Sequence, residues 1–148
     1  MAKSSNNSNI KNSPIGIKPN SLPYTVFLID DSITAREILK RILLSLKFKI
    51  LDEADNGEIA IIKLQGSKTK PDFIFIDMEM PLMDGKETIK RLKPSLPDSK
   101  FIMVTAHGEK DMVVELLNLG VHGYIKKPYD RETIVKKMAS IMGRPIAD

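Results

Sequence analysis

The sequence predicts an α/β fold, a doubly wound sheet of five parallel strands with five helices. Two observations carry this. Short apolar runs alternate along the chain with stretches whose apolar residues recur at helical spacing. One run, Phe73 through Ile76, is apolar at every position, as in a strand buried on both faces. A third observation bears on chemistry. Asp77 closes that run, Asp30 and Asp31 close an earlier one, and Lys127 follows a later one. Open α/β sheets work at the carboxyl ends of their strands. Three acids and a lysine at the tips of three strands therefore outline a cation site with a phosphate partner.

The elements follow in order. Tyr24–Ile29 reads as the first strand. Ser32 suits a helix N-cap, and Ile38, Leu39, Ile42, Leu43 and Leu46 keep helical spacing after it. Lys49–Glu53 is a short second strand. Asn56-Gly57 signals a turn before a second helix that runs through Leu64. Phe73–Asp77 is the third strand. Asp84-Gly85 opens a third helix, which reaches about Leu92 and is stopped by Pro94. Lys100–Val104 is the fourth strand. Glu109–Leu119 is a helix closed by Gly120, a residue suited to the position after a helix end. Val121–Ile125 is the fifth strand and Asp130–Met142 the last helix.

The 148 residues suit one domain with a real core, and hydrophobic residues at 42% support that reading. Residues 1–22, rich in Ser, Asn, Pro and Lys with isolated apolar residues, are expected to form a disordered tail. Residues 23–148 are expected to form the folded domain. The net charge is +4. Lys3, Lys11 and Lys18 lie in the acid-free first 22 residues, so the remainder is near neutral and nucleic-acid binding is not expected. There is no cysteine, which removes disulfides and thiolate metal sites. No apolar stretch is long enough to span a membrane and no secretory leader pattern opens the chain. A cytoplasmic monomer is expected.

Asp30 and Asp31 beside Asp77 would repel one another unless a cation neutralises them. Mg²⁺ fits, because it takes oxygen ligands and is often completed by a phosphate. Taken alone, the two acids read more readily as caps of the helix that starts near Ser32, and it is their combination with Asp77 and Lys127 that favours the metal. Asp77 can attack a phosphoryl group to give an acyl phosphate. Such transfer depends on positioning and charge neutralisation, which Mg²⁺, Lys127 and the hydroxyl of Thr105 would supply. Met78, Met80 and Met83 read as partly core filler. His107 and His122 read as plain surface.

The pieces LIDDS, EADNGEIA, FIDMEMPLMDG, MVTA and GVHGYIKKPYD, spread over residues 24–142, resemble the receiver domain of two-component response regulators. They are especially similar to the CheY chemotaxis family. The resemblance implies a flavodoxin-like sheet of order 2-1-3-4-5. It implies Asp77 as the phosphoacceptor, with Thr105 and Lys127 binding the phosphoryl group. Asp31 is implied as a direct Mg²⁺ ligand, Asp30 as acting through water, and the backbone carbonyl of Glu79 as the remaining protein ligand. It implies a cis Lys127–Pro128 bond and Tyr124 as an aromatic switch. Glu79 stands where the best-known chemotaxis pattern has an amide, and His107 where it has an acid. Both positions should alter the lifetime of the acyl phosphate.

The resemblance further implies a phosphoacceptor module that assists its own phosphorylation and dephosphorylation. It implies a chemotaxis-type histidine kinase as donor and a flagellar motor switch protein as target. The target would be met through Lys110, Val113, Tyr124 and Lys126, and a phosphatase is a further expected partner. The alternative is a phosphorelay intermediate or phosphate sink for a histidine phosphotransfer protein. A phosphohydrolase of the haloacid dehalogenase type fits poorly, since the second acid is misplaced after Asp77. A flavodoxin would need hydroxyl and glycine residues where Asp30 and Asp31 stand.

Overall fold

The structure, a computed structural model, describes residues 14–144. The chain alternates β1 (Thr25–Ile29), α1 (Ile33–Ser45), β2 (Lys49–Ala54), α2 (Gly57–Gly66) and β3 (Phe73–Asp77). It continues with α3 (Gly85–Leu92), a 3-10 turn at Lys93–Ser95, β4 (Lys100–Thr105), α4 (Lys110–Leu119), β5 (Gly123–Lys126) and α5 (Arg131–Ile141). The strands lie in the order β2-β1-β3-β4-β5 and every neighbouring pair is parallel. The flavodoxin-like order is the expected one. β1 lies between β2 and β3, so the chain winds away from it in opposite directions and leaves a crevice at the carboxyl ends of β1 and β3.

Side-chain alternation divides the core between the two faces of the sheet. Ile74 and Ile76 of β3 join Phe27, Ile29, Phe101 and Met103 under Leu64, Ile89, Leu92 and Leu116. Phe73 and Phe75 join Val26, Leu28, Ile102, Val104 and Ile125 under Leu39, Leu43, Ile134 and Met138. Helices α2, α3 and α4 thus cover one face, and α1 and α5 the other. Burial of all five β3 residues is what the apolar run requires.

Four helices start on the residue type that the sequence offers. Ser32, Asn56, Asp84 and Asp130 each accept a hydrogen bond from the backbone N–H three residues on. Helix α4 starts after Glu109 without a side-chain cap. Gly120, in the left-handed region at φ 89°, ends α4 as expected. β5 begins at Gly123 rather than Val121, because the N–H of Val121 is taken by Leu116 and so still belongs to the α4 exit. Met78, Met80 and Met83 are all buried, more completely than expected. The loop after β3 folds back over the sheet end and carries them with it. No helix of the described residues is long and apolar enough to cross a membrane.

The expected tail differs in its last residues. Residues 1–13 lie outside the described residues, as do 145–148. Residues 15–18, however, are buried or half-buried, while 14 and 19–22 are exposed. Ile15 is buried against Leu46, Phe48 and Phe73. Gly16 donates its N–H to the carbonyl of Leu46 and accepts from the N–H of Tyr24. Ile17 bridges to Pro23, and Lys18 pairs with Asp72 at 3.3 Å. A segment with isolated apolar residues lacks a core-forming pattern of its own, but one isoleucine suffices where a ready apolar surface awaits it.

Candidate functional site

β1 and β3 run in register with Ile29 beside Ile76, so their next residues, Asp30 and Asp77, meet at the switch-point crevice. Asp31 follows. One carboxylate oxygen from each of Asp30, Asp31 and Asp77 falls within 4.8 Å of the others. Asp77 is only 4% exposed, whereas the Asp31 carboxylate faces solvent. The carboxyl of Asp77 is pushed up to about 6. Burial is the main cause and the charge of Asp30 the second, opposed by Lys127 and by the N–H of Glu79. The Lys127 ammonium lies 3.4 Å from Asp77 Oδ1 and 3.6 Å from Asp30 Oδ2. The Lys127–Pro128 bond is cis, as the resemblance implies.

One ammonium does not offset three converging carboxylates, and the Asp30 charge adds to burial in raising the Asp77 carboxyl. An all-oxygen donor set beside excess negative charge fits Mg²⁺. The capping alternative is answered by Ser32. Its hydroxyl takes the cap bond from Ala35 at 3.1 Å, and Asp31 makes no such bond. Asp30 Oδ1 does accept from the N–H of Ser32 at 2.9 Å, leaving Oδ2 toward Lys127. Asp31→Ala is expected to weaken Mg²⁺ binding about tenfold or more, the scale of losses at metal sites. Calorimetric Mg²⁺ titration checks this, and an unchanged affinity would reduce Asp31 to a surface acid.

The loop after β3 closes down on the site through a glycine. A Cβ on Gly85 would stand 2.6 Å from the carbonyl oxygen of Asp77, so no larger residue fits without moving the backbone. The N–H of Gly85 donates to Met78 at 3.0 Å and holds the loop there.

Thr105 is fully buried at the tip of β4. Its hydroxyl donates to Glu79 Oε1 at 2.8 Å and accepts from the N–H of His107 at 3.0 Å. The Glu79 N–H donates to Asp77 Oδ1 at 3.3 Å. His107 Nε2 is 3.7 Å from Glu79, and Nδ1 is 3.7 Å from Glu109. His107 is exposed, as expected, and stands between these two acids. The Glu79 carboxylate, read from sequence mainly as a neighbour of the reacting water, is the group that holds Thr105. His122 is exposed as well, and makes one specific contact from there. Its Nδ1 accepts the N–H of Phe101 at 3.1 Å, and burial together with Lys100 and Lys93 lowers its pKa. Tyr129 has its hydroxyl pushed up to about 12 by burial, with the charges of Asp30 and Asp77 adding.

Tyr124 is half-buried on β5, on the face covered by α4, with the Lys137 ammonium 4.7 Å from its ring centroid. It pairs with Met103, two residues before Thr105 on the same face of the sheet. Lys110 and Lys126 are exposed and Val113 is half-buried, on α4 and β5.

Comparison with known proteins places this arrangement. Residues 26–139 match the response regulator receiver domain. The chain is 31% identical to the chemotaxis protein CheY of Treponema pallidum over 129 residues, covering 87% of this chain and 90% of that one. It is likewise 31% identical to CheY of Thermotoga maritima, over 78% of this chain and 95% of that one. Among solved structures, a chain of the CheX–CheY–BeF3–Mg²⁺ complex from Borrelia burgdorferi superposes with a TM-score of 0.83 at 30% identity. That match covers 88% of this chain and 98% of the other. With its parallel sheet in the order 2-1-3-4-5 and its three acids at the switch point, this chain belongs to the response regulator receiver family and is CheY-like within it.

Proposed function

We propose that this chain accepts a phosphoryl group on Asp77 from a chemotaxis-type histidine kinase and signals by binding a flagellar motor switch protein when phosphorylated. The observation that carries the reading is the meeting of Asp77, Asp30, Asp31 and Lys127 at one crevice. The location that suits this role is the cytoplasm. The Borrelia relative, found in a complex with CheX, BeF3 and Mg²⁺, supports both the metal and a further partner such as a phosphatase.

Above pH 6 the Asp77 carboxylate is mostly ionised and can act as nucleophile. An Asp77 oxygen bonds to phosphorus as the bond from phosphorus to the kinase histidine breaks, and the histidine nitrogen keeps the electron pair. The product is an acyl phosphate, which water later cleaves at phosphorus to return the carboxylate. Mg²⁺, held by Asp30, Asp31, Asp77 and the Glu79 carbonyl, would offset the negative charge of the transferred group. Lys127 is placed to neutralise another of its oxygens. Thr105 is placed to donate to a third once its hydroxyl leaves Glu79, and the negative phosphoryl group disfavours Glu79 in the same space.

That departure links chemistry to output. Thr105 and Tyr124 share one face of the sheet, and movement of Thr105 frees room for the Tyr124 ring at the cost of its contact with Lys137. Helix α4 lacks a side-chain cap at the nearby end, while the Lys93 ammonium holds its far end through Leu119 O. The face of Lys110, Val113, Tyr124 and Lys126 thus borders the less restrained end. Coupling of this kind is about 1–3 kcal/mol, or roughly 5–150-fold in affinity. Tyr124→Ala is expected to label normally on Asp77 and to lose most of that gain. Calorimetry with a motor-switch peptide, with and without beryllofluoride, measures it. A variant that keeps the full gain removes Tyr124 from the mechanism. A parent protein with no gain favours the phosphate-sink role.

A further inference from the structure

The site described so far ends at the side chains of Asp30, Asp31, Asp77 and Lys127. Behind it lies a second layer. Asp30 sits one residue past β1, where its N–H still donates to Ala54 of β2 at 3.2 Å. Its carbonyl has left the ladder and accepts instead from Arg36 Nη1. Arg36 comes from α1, and its side chain is only 12% exposed. The Nε of the same guanidinium donates to Glu53 Oε1 at 3.0 Å. Glu53, near the end of β2, is in turn paired with Lys40. Lys40 and then Arg36 hold the Glu53 carboxyl below its usual range against the opposing effect of burial. Arg36 also lines a small cavity, about 10 Å³, together with Asp30, Asp77, Leu39, Phe75 and Val104.

One planar group thus ties three elements together, with its two donor directions fixed relative to each other. The Glu53 carboxylate aims the guanidinium, and the guanidinium fixes the carbonyl from which the Asp30 side chain departs. A lysine can supply the charge but not the two-way fork.

We propose that Arg36, aimed by Glu53, is the positioning residue of the metal site, setting where the Asp30 carboxylate stands and thereby the Mg²⁺ affinity. This rests on the Mg²⁺ reading above. A role limited to packing would lower the melting temperature and leave the affinity of the folded protein unchanged.

The test uses the full chain with Arg36→Met, Arg36→Lys and Glu53→Gln. Mg²⁺ is titrated by calorimetry well below each melting temperature, and the amide resonances of Asp30 and Asp31 are followed by NMR. Both Arg36 variants are expected to lose about tenfold in Mg²⁺ affinity, and Glu53→Gln less, the scale of losses from outer-layer partners at metal sites. The Asp30 amide should shift in the metal-free state of all three. Arg36→Met combined with Glu53→Gln should lose no more than Arg36→Met alone, since the two act in series. Full affinity in Arg36→Lys would reduce the effect to charge and overturn the fork argument. Parent-like affinity in every folded variant would overturn the positioning role while leaving the metal site standing. A parent protein that binds no Mg²⁺ would overturn both readings.

Discussion

Asp77→Asn is expected to abolish phosphoryl labelling and, without Mg²⁺, to stabilise the protein at pH 7 by about 2–3 kcal/mol. The estimate comes from the carboxyl pushed up to about 6 in the folded state, about two units above an ordinary Asp, at roughly 1.4 kcal/mol per unit. Below about pH 4 the group is protonated in both folded and unfolded chains, so parent and variant should differ least. Between about pH 4 and 6 the unfolded chain loses the proton while the folded one keeps it. Parent stability should therefore fall relative to the variant as pH rises, and level off above 6. Saturating Mg²⁺ should narrow the gap at pH 7, because it binds the folded parent far better than the variant. Urea denaturation at pH 4, 5, 6 and 7 in EDTA, repeated with Mg²⁺, measures this. A stability difference that does not change with pH would contradict the burial account. Stable labelling of the variant by a kinase would contradict the acceptor assignment.

Gly16→Ala is expected to destabilise the protein by about 2–3 kcal/mol, nearly as much as removing residues 1–22 altogether. A Cβ at Gly16 would stand 2.4 Å from Phe48 N, 2.5 Å from Leu46 O and 2.6 Å from Lys47 C. These are backbone atoms, and no rotamer change relieves them. The segment would peel away instead, which limits the loss to its own net contribution. That contribution includes burial of Ile15, about 1.5–3 kcal/mol. It also includes shelter for Leu46 and Phe48, less the entropy of ordering a short segment. For a chain of this size the shift in melting temperature is about 6–10 °C. Removing residues 1–13, which carry only Ile10 and Met1 as large apolar residues, should leave the melting temperature unchanged. Thermal melts of the two truncations and of Gly16→Ala decide it. Equal melting temperatures for all of them would return residues 14–22 to the status of a passive tail.

The alternation of strand and helix was legible because each element is encoded by local spacing. FIFID reads as a strand buried on both faces from its own residues, and Ser32, Asn56, Asp84 and Asp130 announce helix starts within one turn. The end of each strand locates the residue that follows it, which is why Asp30, Asp77, Thr105 and Lys127 could be named before any coordinates. Other features depend on pairs far apart in the chain. The Thr105 bond to Glu79 exists only because β3 and β4 are in register, with Asp77 beside Val104, and the loop after β3 turns back over the site. The His122 bond to Phe101 needs the close approach of the α4 exit to β4. Arg36 looks like one more charge on an amphipathic helix until β1 and β2 bring Asp30 and Glu53 to the same guanidinium. The segment around Ile15 has no pattern to read, because its apolar partners belong to the α1 exit and to β3. Local periodicity decides which face a side chain takes and where an element ends. Which groups meet across a loop depends on strand register and chain reversal, and those are settled only when the whole sheet closes.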